Sequence, residues 1–158
     1  LSLRRQRQMC IRDRVWKDGI FEFKVIHVPG HTSGHICFHF FNEKTVFTGD
    51  TLFSLGCGRI FEGSYEDMFN SLLRLKVLPP ETKVYFGHEY TLNNAIFCQR
   101  FDQNNSELNK KILNIKKKLD SGFPSVPSTI KDELNCNIFL RAKNQEEFSK
   151  LRDLKDNF

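Results

Sequence analysis

The stretch from Phe21 to Asp50, FEFKVIHVPGHTSGHICFHFFNEKTVFTGD, fixes most of what this chain can become. Phe21, Phe23 and Val25 alternate with Glu22 and Lys24, and Ile36, Phe38 and Phe40 alternate again. That is the period of half-buried strands. Asn42-Glu43-Lys44 reads as a turn, and Thr45 to Thr48 as a short buried strand. The first run ends in Pro-Gly-His and the last in Thr-Gly-Asp, where each glycine lets the backbone turn sharply. His31 and Asp50 are thereby offered from loops at strand ends. Gly87-His88-Glu89-Tyr90 follows the run Lys83 to Phe86 and offers His88 in the same way. Nitrogen and carboxylate donors held on loops over a rigid sheet are a common way to build a hydrolytic metal site. Taken by themselves, the three would suit one ion, with Asp50 shared with a second.

The rest of the chain arranges itself around this stretch. Trp16 to Gly19 reads as a turn, and Leu52 to Gly63, with three glycines and no period, as a loop lining the site. Ser64 and Asp67 form a capping pair for a helix with a stripe of Met68, Leu72 and Leu75, ended by Pro79-Pro80. Thr91 is predicted to cap a helix to about Phe101. Asn105 or Ser106 starts another through Leu108, Ile112, Ile115 and Leu119, stopped by Gly122 and Pro124. Pro127-Ser128-Thr129 leads into a short helix to about Leu134. Asn144 with Glu147 caps the last helix, which carries Phe148, Leu151 and Leu154. Strands and helices alternate up to residue 90 and helices alone follow. The expectation is an α/β unit, residues 15–90, with a helical appendage, residues 91–158.

Composition excludes some classes. Hydrophobic residues make up 39% of the chain, which rules out wholesale disorder. No apolar run approaches the roughly 20 residues of a membrane span, so no membrane partner is expected. The five Cys are odd in number and show no C-x-x-C, which points to reduced thiols and a cytoplasmic setting. The net charge of +5 is local. Residues 1–14 hold five Arg and one Asp, leaving 19 basic and 18 acidic residues in the body. That removes the main support for a basic nucleic-acid-binding module. RRQRQMCIRDR, Arg4 to Arg14, also resembles the in-frame translation of a sequencing adapter. Residues 1–14 are therefore expected to lie outside the fold, with the natural sequence beginning near Val15.

GHTSGHICF, VFTGDTLF, GCGRIFEG and VYFGHEYT, in this order, resemble the second half of a metallo-β-lactamase-fold hydrolase. VPST and NIFLRA, on the helical tail, resemble the glyoxalase II (hydroxyacylglutathione hydrolase) family in particular. The resemblance covers residues 20 to about 143. It implies the second half of an αββα sandwich followed by a small all-helical C-terminal domain. It implies hydrolysis of S-(2-hydroxyacyl)glutathione thioesters, such as S-D-lactoylglutathione to D-lactate and glutathione, by a metal-bound hydroxide. Two divalent ions are implied: zinc, with iron or manganese as alternatives. Within it His31 and His88 are metal ligands and Asp50 is the bridging, catalytic carboxylate. Arg59 and Phe61 sit in the substrate groove, Tyr90 bonds the glutathione part, and Arg141 reaches its carboxylate. The enzyme is expected to be a monomer.

The sequence departs from that family in one respect. The family's His-x-His-x-Asp-His run is absent, since the five His stand at 27, 31, 35, 39 and 88. The chain is therefore expected to be the C-terminal part of a longer protein, and inactive alone. The family's second cationic residue has no secure counterpart, Lys143 being the nearest. A persulfide dioxygenase of the same fold shares GCGR, but GHEY and the tail with VPST favour the hydrolase. Other residues have plainer readings. His35 is structural or lies behind the ligands, and His27 and His39 are satisfied sheet residues. Cys57 is a packed small residue, and Lys116-Lys117-Lys118 is a solvated helix face.

Overall fold

The computed structural model describes residues 13–158. Its elements, in chain order, are β1 (Val15–Asp18), β2 (Phe21–His27), β3 (Ile36–Phe40), β4 (Thr45–Gly49), β5 (Leu52–Phe53) and β6 (Gly56–Cys57). Then come α1 (Tyr65–Lys76), β7 (Lys83–Phe86), α2 (Thr91–Phe101), α3 (Ser106–Asp120) and β8 (Ser128–Thr129). The chain closes with α4 (Ile130–Cys136), α5 (Ile138–Arg141) and α6 (Gln145–Asp156). Six strands form one sheet in the order β1-β2-β3-β4-β7-β8, and β5 and β6 form a separate hairpin. Only the β4–β7 pair in the large sheet is parallel, which requires the crossover that α1 supplies.

Period-two alternation divides the large sheet into two faces. Ile26, Cys37, Val46 and Val84 point inward and pack with Met68, Leu72 and Leu75 of α1. Phe38, Phe47 and Tyr85 fall in one register row on the opposite face. There the rings touch in series: Phe23 to Phe40 at 4.9 Å, Phe40 to Phe47 at 5.7 Å, Phe47 to Tyr85 at 5.3 Å. Phe21 and Phe47 remain exposed on this face.

The inner core does not stop at residue 90. The same hydrophobic cluster runs through Phe97, Leu108, Ile112, Phe139 and Phe148 of the helical tail. Each such ring or aliphatic side chain removed from water contributes roughly 1.5–3 kcal/mol. The Ser64–Asp67 capping box forms as expected, and Asn105 and Asn144 cap α3 and α6.

Several expectations change. Trp16 to Gly19 is not simply a turn, because Val15–Asp18 pairs along β2 as an exposed edge strand. Such a strand is held by backbone bonds and shows no apolar period. The Leu52–Gly63 loop contains the β5–β6 hairpin. Ser128 and Thr129 extend the sheet by pairing with β7, so the tail is not purely helical. Tyr90, not Thr91, caps α2 without a side-chain bond, because the Thr91 hydroxyl is engaged with Ser125. In α6 the buried positions are Phe148 and Arg152, while Leu154 is exposed. The stretch 1–14 lies outside the described residues except for Asp13 and Arg14. Those two join the body: Asp13 pairs with Arg74, and the Arg14 carbonyl accepts from Val25 N–H.

Candidate active site

His31, Asp50 and His88 stand just beyond the carboxyl ends of β2, β4 and β7. The β4–β7 register shifts between Phe47 and Gly49, just before Asp50. Such irregularities re-aim the residues that follow them. Asp50 Oδ2 lies 3.6 Å from His31 Nε2, and Oδ1 lies 3.3 Å from His88 Nε2. Each imidazole therefore faces a different carboxylate oxygen. Among the described residues, no three His, Cys, Asp or Glu side chains surround a single point as a cage for one ion. The Asp50 carboxylate stands between the two imidazoles, one facing each oxygen.

Two observations show that these residues fit cations. Oδ1 of Asp50 is buried and accepts no hydrogen bond. An orphaned buried acceptor costs about 1–3 kcal/mol, which a bound cation removes. The second observation concerns His31. Its Nδ1 lies 2.9 Å from the Arg59 carbonyl oxygen, which can only accept. Nδ1 therefore carries a proton, so the nitrogen free to offer a lone pair to a cation is Nε2, which faces the Asp50 carboxylate, the arrangement a metal ligand needs.

Two glycines let the backbone close in on Asp50. A Cβ on Gly58 would come within 1.9 Å of the Asp50 carbonyl oxygen, and one on Gly87 within 2.8 Å of Oδ1. His35 holds the Asp50 backbone: its Nε2 lies 3.3 Å from Asp50 N–H and 3.4 Å from the Thr48 carbonyl, and accepting from Asp50 N–H is the shorter contact. Burial lowers the His35 pKa, which keeps the ring neutral and able to accept. His27 is satisfied by the Ser33 carbonyl at 3.0 Å. His39 is not: it is buried in β3 with no partner at Nε2. Cys57 is buried, and burial pushes its thiol pKa up, so it is inert as a nucleophile.

A cleft of about 740 Å³ opens over these groups. Arg59, Phe61 and Tyr90 line it, as do Asn93, Arg152 and Lys155. The Phe61 ring lies 4.9 Å from that of His31, and Tyr90 stacks on His88 at 5.1 Å. Arg141 is placed elsewhere. It pairs with Asp102 and faces a separate groove with Asn104 and Asn135. The cationic side of the cleft comes from α6 instead. Arg152 is buried, donating to the Cys57 carbonyl at 2.9 Å and to Asp156 at 2.8 Å. Lys155 lies over the Phe97 and Phe158 rings, and burial lowers its pKa to about 8. The sequence reading missed both residues because it scored α6 for its apolar stripe alone. Their spacing of three, which puts them on one helix face, was the available signal.

Comparison with known proteins bears on the same residues. The metallo-beta-lactamase superfamily model matches residues 17–88, and the hydroxyacylglutathione hydrolase C-terminus matches residues 89–158. The hydroxyacylglutathione hydrolase of Pelagibacter ubique is 60% identical over 144 residues, covering 91% of this chain and 60% of that protein. The hydroxyacylglutathione hydrolase of Rhizobium etli is 47% identical over 149 residues, covering 85% of this chain and 58% of its own length. The chain thus spans about 60% of these relatives. Among solved structures, ETHE1 from Myxococcus xanthus superposes with a TM-score of 0.62 at 27% identity, covering 90% of this chain and 49% of that one.

Proposed function

We propose that this chain, whose residues 17–88 match the metallo-beta-lactamase superfamily and 89–158 the hydroxyacylglutathione hydrolase C-terminus, serves the hydrolysis of S-(2-hydroxyacyl)glutathione thioesters, S-D-lactoylglutathione above all. The observation that carries this reading is the Asp50 carboxylate set between His31 and His88, one imidazole to each oxygen. That arrangement suits a carboxylate shared by two divalent ions. Bound there, the ions would ionise water near neutral pH and polarise the thioester carbonyl.

The chain's own residues do the rest. His31 and His88 offer one nitrogen to each half-site. The remaining ligands would come from a His-x-His-x-Asp-His segment, which this sequence does not contain. Phe61 and Tyr90 flank the reacting centre with apolar surface, packing on His31 and His88. Lys155, beside the exposed Arg59, offers positive charge to the carboxylates of a glutathione moiety. Neither Cys57 nor any other residue of the cleft is set up as a nucleophile, which agrees with attack by activated water.

A persulfide dioxygenase of the same fold is the rival. The match of residues 89–158 to the hydroxyacylglutathione hydrolase C-terminus, and the 60% identity to a hydrolase, support the hydrolase over it. Loss of thioester absorbance from S-D-lactoylglutathione, with zinc or iron added to a form of the protein that carries His-x-His-x-Asp-His, tests the proposal. Turnover supports it. Oxygen consumption with glutathione persulfide and no thioester loss would overturn it.

A further inference from the structure

The tip and second strand of the β5–β6 hairpin are held from the helical tail, while Leu52 at its start is held by the Thr48 hydroxyl at 2.7 Å. The Ser54 carbonyl accepts from Asn94 Nδ2 at 3.1 Å, and the Leu55 carbonyl from the Cys98 thiol at 3.1 Å. Leu55 N–H donates to Glu133 Oε2 at 2.7 Å. The Gly56 carbonyl accepts from Asn137 Nδ2 at 3.1 Å, and the Cys57 carbonyl from Arg152. Five backbone groups over Ser54 to Cys57 are thus satisfied by side chains 40 to 95 residues away.

The hairpin needs this support. Leu55, at its tip, has φ of +60°, a conformation disfavoured for a residue with a Cβ. Such strain persists only where the surroundings over-determine it. Glu133 and Asn137 are both fully buried, and they bond each other at 3.0 Å. Glu133 is fixed in turn by Lys111 Nζ at 2.6 Å and the Ser128 hydroxyl at 2.5 Å. Asn137 also caps α5 through Phe139 N–H. Two buried polar side chains are therefore committed to shaping one two-residue turn.

The hairpin reaches His88 directly and the other two candidate ligands through the residues that follow it. It runs directly into Gly58, packed on the Asp50 carbonyl, and Arg59, whose carbonyl fixes the His31 tautomer. The Phe53 ring, in β5, lies 6.3 Å from His88 and 5.4 Å from Tyr90. We propose that Glu133 and Asn137 are positioning residues for the candidate ligand His31. By holding the strained hairpin they place the Arg59 carbonyl, and through it they set the His31 tautomer. The helical tail is on this account part of the site's scaffold as well as one wall of its cleft. The inference builds on the reading of His31 as a ligand, but its test involves neither metal nor turnover, so the two can fail separately.

The experiment is nitrogen-15 NMR of the histidine rings at pH 8, on the 158-residue chain without metal. In the unaltered protein His31 is expected as the Nδ1–H tautomer. In Asn137→Ala and in the milder Glu133→Gln, that preference is lost and the Nε2–H form becomes comparably populated. Ile112→Ala, a buried change in α3, serves as the control for general loosening and leaves His31 unchanged. Should Asn137→Ala fail to fold, Glu133→Gln carries the test. An unchanged His31 tautomer in folded Glu133→Gln, or an equal change in Ile112→Ala, overturns the proposal. So does an Nε2–H tautomer in the unaltered protein.

Discussion

The backbone carbonyl of Arg59 lies 2.9 Å from Nδ1 of His31, across 28 residues of sequence. No side-chain pattern announces that contact, yet it fixes a proton on Nδ1 and leaves Nε2 as the nitrogen a cation could use. It depends on Gly58, the residue that brings the chain against Asp50.

Gly58→Ala is therefore expected to damage stability and site together. The added Cβ would fall 1.9 Å from the Asp50 carbonyl oxygen, a backbone atom that cannot step aside. The expected loss is about 1–3 kcal/mol, the range for forced overpacking. Urea unfolding should show a lower midpoint with an unchanged slope. A midpoint equal to that of the unaltered protein would mean that the loop has room the structure does not show.

Lys155 gives a pH dependence. Burial holds its pKa down at about 8, so its charge is present at pH 7 and lost as pH rises through that value. Glutathione binding, followed by calorimetry between pH 6 and 10, is expected to weaken through this window. Lys155→Ala should weaken binding roughly 10–100-fold at pH 7, the worth of a charged hydrogen bond. Arg141→Ala should leave it unchanged, because Arg141 faces another groove. Equal effects of the two substitutions would contradict this placement of the anion.

The contrast between Lys155 and Arg141 shows what the sequence could and could not convey. Strand periodicity around Phe21 to Asp50 and the capping pairs at Ser64 and Asn144 are local signals, and the structure follows them. The ligand candidates were legible because glycine and strand ends mark them in the chain itself. The β5–β6 hairpin was not, because its backbone partners lie in the distant helical tail and its tip residue is a leucine at positive φ. Which cation faces the cleft was likewise hidden. It depends on how α6 is rotated against Cys57 and Phe97, a fact of packing.

The outer face of the sheet predicts self-association. Phe21 and Phe47 are 54% and 45% exposed at two places in a ribbon of contacting aromatic rings. A contiguous apolar face of this kind favours association. Light scattering of the 158-residue chain should show mass rising with concentration. The double substitution Phe21→Lys and Phe47→Lys should restore a single-chain mass at little cost in stability. A concentration-independent mass for the unaltered chain would contradict this.

The central claim is that Asp50 is a carboxylate shared by two half-sites, one facing His31 and the other His88. Its most direct test is S-D-lactoylglutathione hydrolysis with added zinc. Three proteins are compared: the 158-residue chain, a longer form carrying an upstream His-x-His-x-Asp-His segment, and that longer form with Asp50→Ala. The account predicts no measurable turnover by the chain alone, robust turnover by the longer form, and a loss of roughly a thousandfold or more in Asp50→Ala. Turnover by the chain alone, or a longer form indifferent to Asp50→Ala, would contradict it.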